Sequence, residues 1–168
     1  MAGILSVNEI LKVAMQIEKN GMTLYTHLLT KGFPGTVRIL FKALAVAEKR
    51  HLERLEEIKA RVGKKTSADQ KFSGDTQRYL EAIAGENVFQ DSSKLKDALK
   101  DVRSVGQALK FALSVEYSTI KLFSFLARNV PADVKEVIDQ IIQEEHGHVR
   151  QIKQYQRTSS FPWSLFQK

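Results

Sequence analysis

Apolar residues return every three or four positions in four long stretches of this chain. One face of the first stretch carries Ala14, Tyr25 and Leu28, and one face of the second carries Phe41 and Leu55. Such spacing is typical of amphipathic α-helices, whose apolar faces pack against one another. The near-heptad rhythm of all four stretches predicts an all-α protein built as a four-helix bundle.

Capping boxes mark where the first and third helices begin. Ser6 with Glu9, and Ser104 with Gln107, have the Ser-x-x-Glu/Gln spacing of this motif. In a capping box each side chain binds a backbone N–H of the other residue, so two free donors at the helix start are satisfied. The sequence therefore predicts helices that begin directly after the two serines.

Helix-breaking residues mark the remaining boundaries. The Gly-Phe-Pro-Gly segment at 32–35 ends the first helix, and the Asn-Val-Pro segment at 129–131 separates the third from the fourth. The second helix is predicted from about Thr36 to the residue before Gly63, which serves as its stop. The fourth helix is predicted to end at about Gln156.

Residues 63–103 differ in character from the four long stretches. They begin with a polar, turn-like part and then contain two short candidate helices, at 76–84 and 94–102. Because neither hairpin can bury its apolar stripe alone, we interpret this segment as a long crossover between helices 2 and 3. A single domain over 1–168 is expected, with an aromatic tail at 157–168 that packs on the chain itself, a second subunit or a partner.

Both predicted hairpins carry the same polar device at the same spacing. In each, a proline is followed 14 residues later by a glutamate and three residues after that by a histidine. A further glutamate lies on the preceding helix, 30 residues earlier in one hairpin and 29 in the other. The six residues are Glu18, Glu48 and His51 in the first hairpin and Glu116, Glu145 and His148 in the second.

The spacing predicts that these six side chains meet at one level of the bundle. Within each hairpin the two glutamates are nearly equally far from the turn, at roughly 20 Å for a rise of 1.5 Å per residue. A glutamate and a histidine three residues apart share one helix face. Four buried carboxylates would be costly without counter-charges, and two divalent cations would neutralise them. Oxygen and imidazole ligands favour two iron ions, with manganese or zinc as substitutes.

Four other polar residues lie close in sequence to this set of six. Tyr25 lies seven residues after Glu18 and faces inward, so it is either a core aromatic with a satisfied hydroxyl or a residue that supports the ligands. His27 and His146 do not fit the pattern, and His146 is expected at the surface. Glu144 is adjacent to a ligand but lies off the inward stripe, so it is left out of the predicted site.

Composition narrows the chemistry further. The chain has no cysteine, which excludes thiolate metal sites, and no apolar run long enough to span a membrane. The N-terminus lacks the features of a signal peptide, so a cytoplasmic location is expected. The net charge of +7 could attract nucleic acid, but the basic residues are interleaved with acidic ones and no recognition motif accompanies them. We therefore expect neither nucleic acid nor a membrane as a partner.

The chain resembles the ferritin-like superfamily, and most closely its rubrerythrin branch, over about residues 6–156. The resemblance is carried by Ile-Glu-Lys-Asn-Gly at 17–21, Ala-Glu-Lys-Arg-His at 47–51, Val-Glu-Tyr at 115–117 and Glu-Glu-His-Gly-His-Val at 144–149. The resemblance implies that Glu18 and Glu116 are terminal ligands and that Glu48 and Glu145 bridge the two metals. It also implies that His51 and His148 each bind one metal. It also implies a homodimer.

Two departures from rubrerythrins qualify this resemblance. Rubrerythrins carry a rubredoxin-like module with four cysteines, whereas this chain has none, so a separate electron donor is expected. Rubrerythrins also use an extra carboxylate three residues from its neighbour on the third helix. Here the residues at that spacing from Glu116 are Leu113 and Thr119, so a plain six-ligand site is expected.

The expected function is oxidoreductase chemistry on peroxide or O2 at a dinuclear non-haem iron site. One alternative is a ferroxidase centre that serves iron storage or detoxification. Another is a metal-free helical interaction module with a vestigial site.

Overall fold

The structure is a computed structural model that describes residues 6–62 and 92–159. These residues form five α-helices and one 3-10 turn, without a β-strand among them. The helices are α1 (Val7–Leu29), α2 (Gly35–Val62), α3 (Ser92–Lys100), α4 (Val105–Leu126) and α5 (Ala132–Ser159), and the 3-10 turn is Ala127–Asn129. The predicted all-α fold class is confirmed.

Both predicted capping boxes are present. The Ser6 hydroxyl accepts from the backbone N–H of Glu9, whose carboxylate in turn accepts from the backbone N–H of Ser6 at 2.7 Å. Ser104 and Gln107 make the same reciprocal pair at the start of α4. The chain turns between α1 and α2 at Gly32, whose φ of 70° lies in the left-handed region that favours glycine.

Four long helices form two antiparallel hairpins. The helices α1 and α2 pack mainly against each other, as do α4 and α5, and the hairpins meet through α1 with α4 and α2 with α5. The short helix α3 lies against α1. It is the described part of the predicted crossover and begins two residues before the predicted start at Lys94. The fourth long helix continues to Ser159, three residues beyond the predicted end.

A polar layer divides the apolar core in two. One apolar cluster joins the start of α1 to the end of α2, and includes Ile10, Leu55 and Phe123. The other joins the end of α1 to the start of α2 and to α3, and includes Leu28 and Phe41. Because apolar packing on both sides holds the helices in register, the layer between the clusters is fixed in position.

Within the described ranges, no helix has a stretch that is long and apolar enough to cross a membrane. Several predictions concern residues outside those ranges and stay predictions. They are the stop at Gly63, the short helix at 76–84 and the packing of the aromatic tail, of which the structure describes only residues 157–159.

Candidate metal centre

The six residues predicted from spacing meet in the polar layer. Their side chains come from the inward faces of four helices: Glu18 from α1, Glu48 and His51 from α2, Glu116 from α4, and Glu145 and His148 from α5. All six are buried, with His148 the most accessible at 6% exposure. The equal arm lengths of the two hairpins therefore bring the acidic and imidazole groups to one height.

These residues form two overlapping groups of potential ligands. One group is Glu18, Glu48, His51 and Glu145, and the other is Glu48, Glu116, Glu145 and His148. Within each group, one ligand atom from every residue lies within 4.8 Å of the others. Two glutamates, Glu48 and Glu145, belong to both groups, as the residues that bridge two metals would.

The carboxylates of Glu48 and Glu145 each span the two histidines. From Nδ1 of His51, Glu145 Oε1 lies at 2.9 Å and Glu48 Oε2 at 3.7 Å. From Nδ1 of His148, Glu145 Oε2 lies at 2.8 Å and Glu48 Oε1 at 3.8 Å. The two imidazole rings are nearly parallel, with centroids 5.5 Å apart. Each shared carboxylate thus directs one oxygen to each half of the centre.

The remaining two glutamates each serve one half. Glu18 Oε2 lies 3.3 Å from Nδ1 of His51, and Glu116 Oε2 lies 3.5 Å from Nδ1 of His148. The other oxygen of Glu18, Oε1, is buried and has no hydrogen-bond partner. An orphaned carboxylate oxygen in a protein interior costs free energy unless a cation or donor meets it.

The electrostatics of the centre favour proton uptake in the absence of a cation. Burial, together with the neighbouring Glu48 carboxylate, raises the pKa of Glu18 well above its ordinary value. Burial and the charge of Glu145 do the same to the pKa of Glu116. Both carboxyl groups therefore tend to stay protonated until a cation replaces the proton.

Both histidines are also driven toward the charged form. Burial alone would lower the pKa of His148, but hydrogen bonds to Glu116 and Glu145 raise it to about 10. In the same way, contacts with Glu145 and Glu18 outweigh burial and raise the pKa of His51 far above its ordinary value. The pKa of Glu145 is lowered, because its hydrogen bonds with Glu116 and the two histidines outweigh its burial.

This donor set fits two divalent cations. Four carboxylates would balance the charge of two such ions, and a cation between the groups would meet the orphaned oxygen of Glu18. Oxygen and imidazole ligands without thiolate suit iron and manganese, and accommodate zinc. Glu18, Glu48, His51 and Glu145 would hold one ion, and Glu48, Glu116, Glu145 and His148 the other.

A glycine makes room for the shared Glu48 carboxylate. A Cβ at Gly21 would lie 3.0 Å from Cδ and 3.1 Å from Oε2 of Glu48. The α1 backbone therefore passes directly against this side chain and confines it. Gly21 belongs to the segment 17–21 that carries the family resemblance, and nothing in the sequence pattern predicted this contact.

Glu144 is the residue that sequence reasoning left out and the structure adds. Its Oε2 lies 3.1 Å from Nε2 of His51, and its Oε1 lies 2.8 Å from Nη1 of Arg54. The pKa of Glu144 is lowered, since the hydrogen bonds from Arg54 and His51 outweigh its partial burial. The sequence signal was its position next to Glu145, but its partner lies on the other hairpin and no spacing within one hairpin predicts it.

Tyr25 is buried between the core and the centre. Its hydroxyl donates to Oε1 of Glu116, and its ring stacks on Phe41 with centroids 6.1 Å apart. Its pKa is raised well above the ordinary value by burial and by the charge of Glu116, so the hydroxyl keeps its proton. His146 is exposed, as expected, and takes no part in the centre.

Comparison with known proteins identifies the family. The sequence model of the rubrerythrin family matches residues 9–99, which are 91 of the 168 residues. Among solved structures, a crystal structure from Thermotoga maritima, described as a ferritin-like diiron-carboxylate protein, matches with 26% identity and a TM-score of 0.70. The match covers 94% of this chain and 99% of that one. A comparison with curated proteins finds no match. The chain belongs to the rubrerythrin family.

Proposed function

We propose that this protein is a dinuclear non-haem iron oxidoreductase that acts on peroxide or O2. The observation that carries the proposal is the pair of shared carboxylates, Glu48 and Glu145, each with one oxygen near Nδ1 of either histidine. A buried arrangement of this kind suits two metal ions held close together. A pair of iron ions supplies the two electrons that reduction of peroxide to water requires.

The residues of the chain contribute binding, orientation and exclusion of water. Glu18 and Glu116 would each bind one ion, and His51 and His148 would complete the two ligand sets. Low exposure of all six side chains keeps bulk water from competing with them. The protonated hydroxyl of Tyr25 donates to Oε1 of Glu116 and so fixes the orientation of the carboxylate that would bind one of the ions.

Two partners belong to the proposal. A separate electron donor would re-reduce the irons, because these 168 residues contain no cysteine that could hold a redox centre of their own. A second copy of the chain would form a homodimer, for which the exposed apolar side chain of Ile39, at 72% exposure on α2, is a candidate contact. Light scattering on a size-exclusion column should give twice the chain mass, and Ile39→Asp should reduce it; a monomer at micromolar concentration would contradict the dimer.

The test of the proposed function is anaerobic loading with Fe(II) followed by oxidant. We expect two irons per chain, and near-ultraviolet absorption that develops when peroxide or O2 is added. The rate with each oxidant shows which one the centre uses. His51→Ala should abolish the absorption change, whereas His146→Ala, at an exposed position on α5, should keep it. Accumulation of many irons per chain would instead support storage, and absence of binding would support a metal-free module.

A further inference from the structure

The two halves of the centre are related by the internal repeat but differ next to the ligands. Glu48 and His51 correspond to Glu145 and His148, so each neighbouring residue has a counterpart in the other hairpin. Three such pairs differ in chemistry: Glu144 corresponds to Ala47, Arg54 to Gln151, and Tyr25 to Phe123. We use the names His51 position for the group of Glu18, Glu48, His51 and Glu145, and His148 position for the group of Glu48, Glu116, Glu145 and His148.

At the His51 position the imidazole is hydrogen-bonded through Nε2, the ring nitrogen on the side away from the shared carboxylates. Glu144 accepts from Nε2 of His51 at 3.1 Å, and Arg54 holds the same carboxylate at 2.8 Å. A proton fixed on Nε2 leaves Nδ1, the nitrogen that faces the shared carboxylates, free to bind a metal. A carboxylate behind a ligating imidazole also fixes the ring orientation and increases its basicity.

At the His148 position the corresponding support differs. The counterpart of Glu144 is Ala47, which has no polar side-chain atom. Among the residues that the structure describes, the acidic side chains within ion-pair distance of His148 all approach Nδ1, and none approaches Nε2. The ring of His148 therefore lacks the carboxylate that orients His51.

The two carboxylates that each belong to a single position, Glu18 and Glu116, also differ in a way that favours the His51 position. Oε1 of Glu116 accepts the hydrogen bond from the Tyr25 hydroxyl, so a metal would compete with that donor for Oε1 but not for Oε2. On the other side the counterpart of Tyr25 is Phe123, which has no hydroxyl, and Oε1 of Glu18 has no hydrogen-bond partner. An ion at Glu18 would therefore compete with no hydroxyl donor, whereas an ion at Glu116 would compete with Tyr25 for one oxygen.

We propose that the two metal positions are unequal and that the first ion binds at the His51 position, with Glu144 and Arg54 as the positioning pair for His51. The inference rests on the proposed function, since it assumes that the six side chains bind two ions. An oriented imidazole and a Glu18 carboxylate whose Oε1 has no hydrogen-bond partner give the His51 position the better-prepared ligand set. Binding of an ion at this position therefore costs less free energy for ordering the ligands.

Calorimetric titration of the metal-free protein with Co2+ tests this inference. Wild-type protein should bind two ions in a tight step and a weaker step. Glu144→Gln should weaken the tight step by about 10- to 100-fold, the range for lost support of a ligating histidine, and leave the weaker step in place. The visible spectrum of the complex with one Co2+ per chain should also change, which a purely structural role would not cause.

Matched variants control for charge and folding. Glu136→Gln removes an exposed negative charge from the same helix and should leave both steps unchanged. Arg54→Gln keeps Glu144 and should weaken the tight step less than Glu144→Gln does, so it decides the outcome if Glu144→Gln fails to fold. Tyr25→Phe should leave the tight step unchanged, because it acts on Glu116 alone.

The possible results separate this inference from the proposed function. Two equal and independent steps in the wild type, or equal weakening of both steps in Glu144→Gln, would overturn the assignment while the two-metal site stands. A first step lost in Tyr25→Phe and kept in Glu144→Gln would reverse the order of filling. Wild-type protein that binds no metal would refute the proposed function itself.

Discussion

Gly21 has no side chain where α1 passes the carboxylate of Glu48. The distance of 3.0 Å from an added Cβ to Cδ of Glu48 is tighter than most Cβ contacts, so Glu48 would have to move by a few tenths of an ångström. The backbone of α1 at Gly21 therefore confines the Glu48 side chain. Glu48 is one of the two residues that both ligand groups share. A small change in α1 therefore reaches both metal positions.

Gly21→Ala should displace Glu48 and weaken metal binding at both positions. The crowding should also lower the free energy of unfolding of the metal-free protein by about 1–3 kcal/mol. Gly106→Ala is the matched control, because an added Cβ there meets nothing within 4 Å. It should raise the free energy of unfolding by about 0.4–1 kcal/mol and leave metal binding unchanged. Metal titration and urea unfolding measure both effects, and equal behaviour of the two variants would contradict the account.

Tyr25→Phe should leave the metal content at two ions per chain. The hydroxyl contacts Glu116 Oε1 but not the oxygens that the two shared glutamates direct to the histidines. Removing it leaves a buried acceptor without its donor, which costs about 1–3 kcal/mol in the metal-free protein. Metal analysis and thermal unfolding of the two proteins check this, and loss of one ion would assign Tyr25 a necessary part in binding.

At the level of single residues, spacing within a hairpin carried most of the information. Glu18 and Glu48 could be placed together because their distances from the turn nearly match. The role of Glu144 could not be predicted, since its partners His51 and Arg54 lie on the other hairpin. Contacts between hairpins depend on the rotation of α5 against α2, which spacing within one hairpin does not determine.

At the level of elements, the capping boxes set the starts of α1 and α4. Ser104→Ala should lower the free energy of unfolding by about 1 kcal/mol, because the backbone N–H of Gln107 at the start of α4 loses its acceptor, the Ser104 hydroxyl. Ser114→Ala, at an exposed position within α4, is the control and should change it little. Chemical unfolding followed by circular dichroism measures both, and an equal effect of the two substitutions would argue against the capping contribution.

The two helix starts marked by capping boxes were predicted more accurately than the end of α5. Ser6 and Ser104 have a defined hydrogen-bonding role, so α1 and α4 begin where the sequence indicated. The end of α5 carries no such residue, and the helix continues to Ser159 rather than ending at Gln156. Fraying and local packing decide such ends, and neither is visible in a pattern of apolar residues.

At the level of the whole molecule, the centre would release protons when it binds cations. In the metal-free protein the pKa of His148 is raised to about 10, and the pKa values of Glu18 and Glu116 are raised by burial. Metal binding needs neutral imidazole and ionised carboxylate, so protons must leave as the ions enter. In the metal-free protein, protons therefore occupy the groups that would bind the metal ions.

Metal binding should release protons and become tighter as the pH rises from about 6.5 towards 10. Because the folded-state pKa of His148 is raised, its stabilising contribution is complete below its unfolded pKa and is lost as pH rises through about 10. Zn2+ titrations in two buffers of different ionisation enthalpy should give different apparent heats. Identical heats in both buffers would show that no protons are released and would contradict this description.

The four-helix arrangement could be predicted because two turns and two equal arms determine which residues share a level. The division of the core into two apolar clusters, around Leu55 and around Phe41, follows from the same register. The position of α3 against α1 could not be predicted, since a short helix in a long connection has several apolar surfaces to choose from. The proposed homodimer and the proposed electron donor would depend on surface residues, which the apolar periodicity of the sequence does not describe.

If six side chains from four helices hold two metal ions in one layer, iron should bind there and nowhere else in the bundle. Anomalous X-ray diffraction at the iron edge, from crystals of Fe(II)-loaded protein, locates the ions. We expect two peaks between the Glu48 and Glu145 carboxylates, one beside Nδ1 of His51 and one beside Nδ1 of His148. Iron peaks only at the protein surface, or no iron peak in this layer, would contradict this expectation.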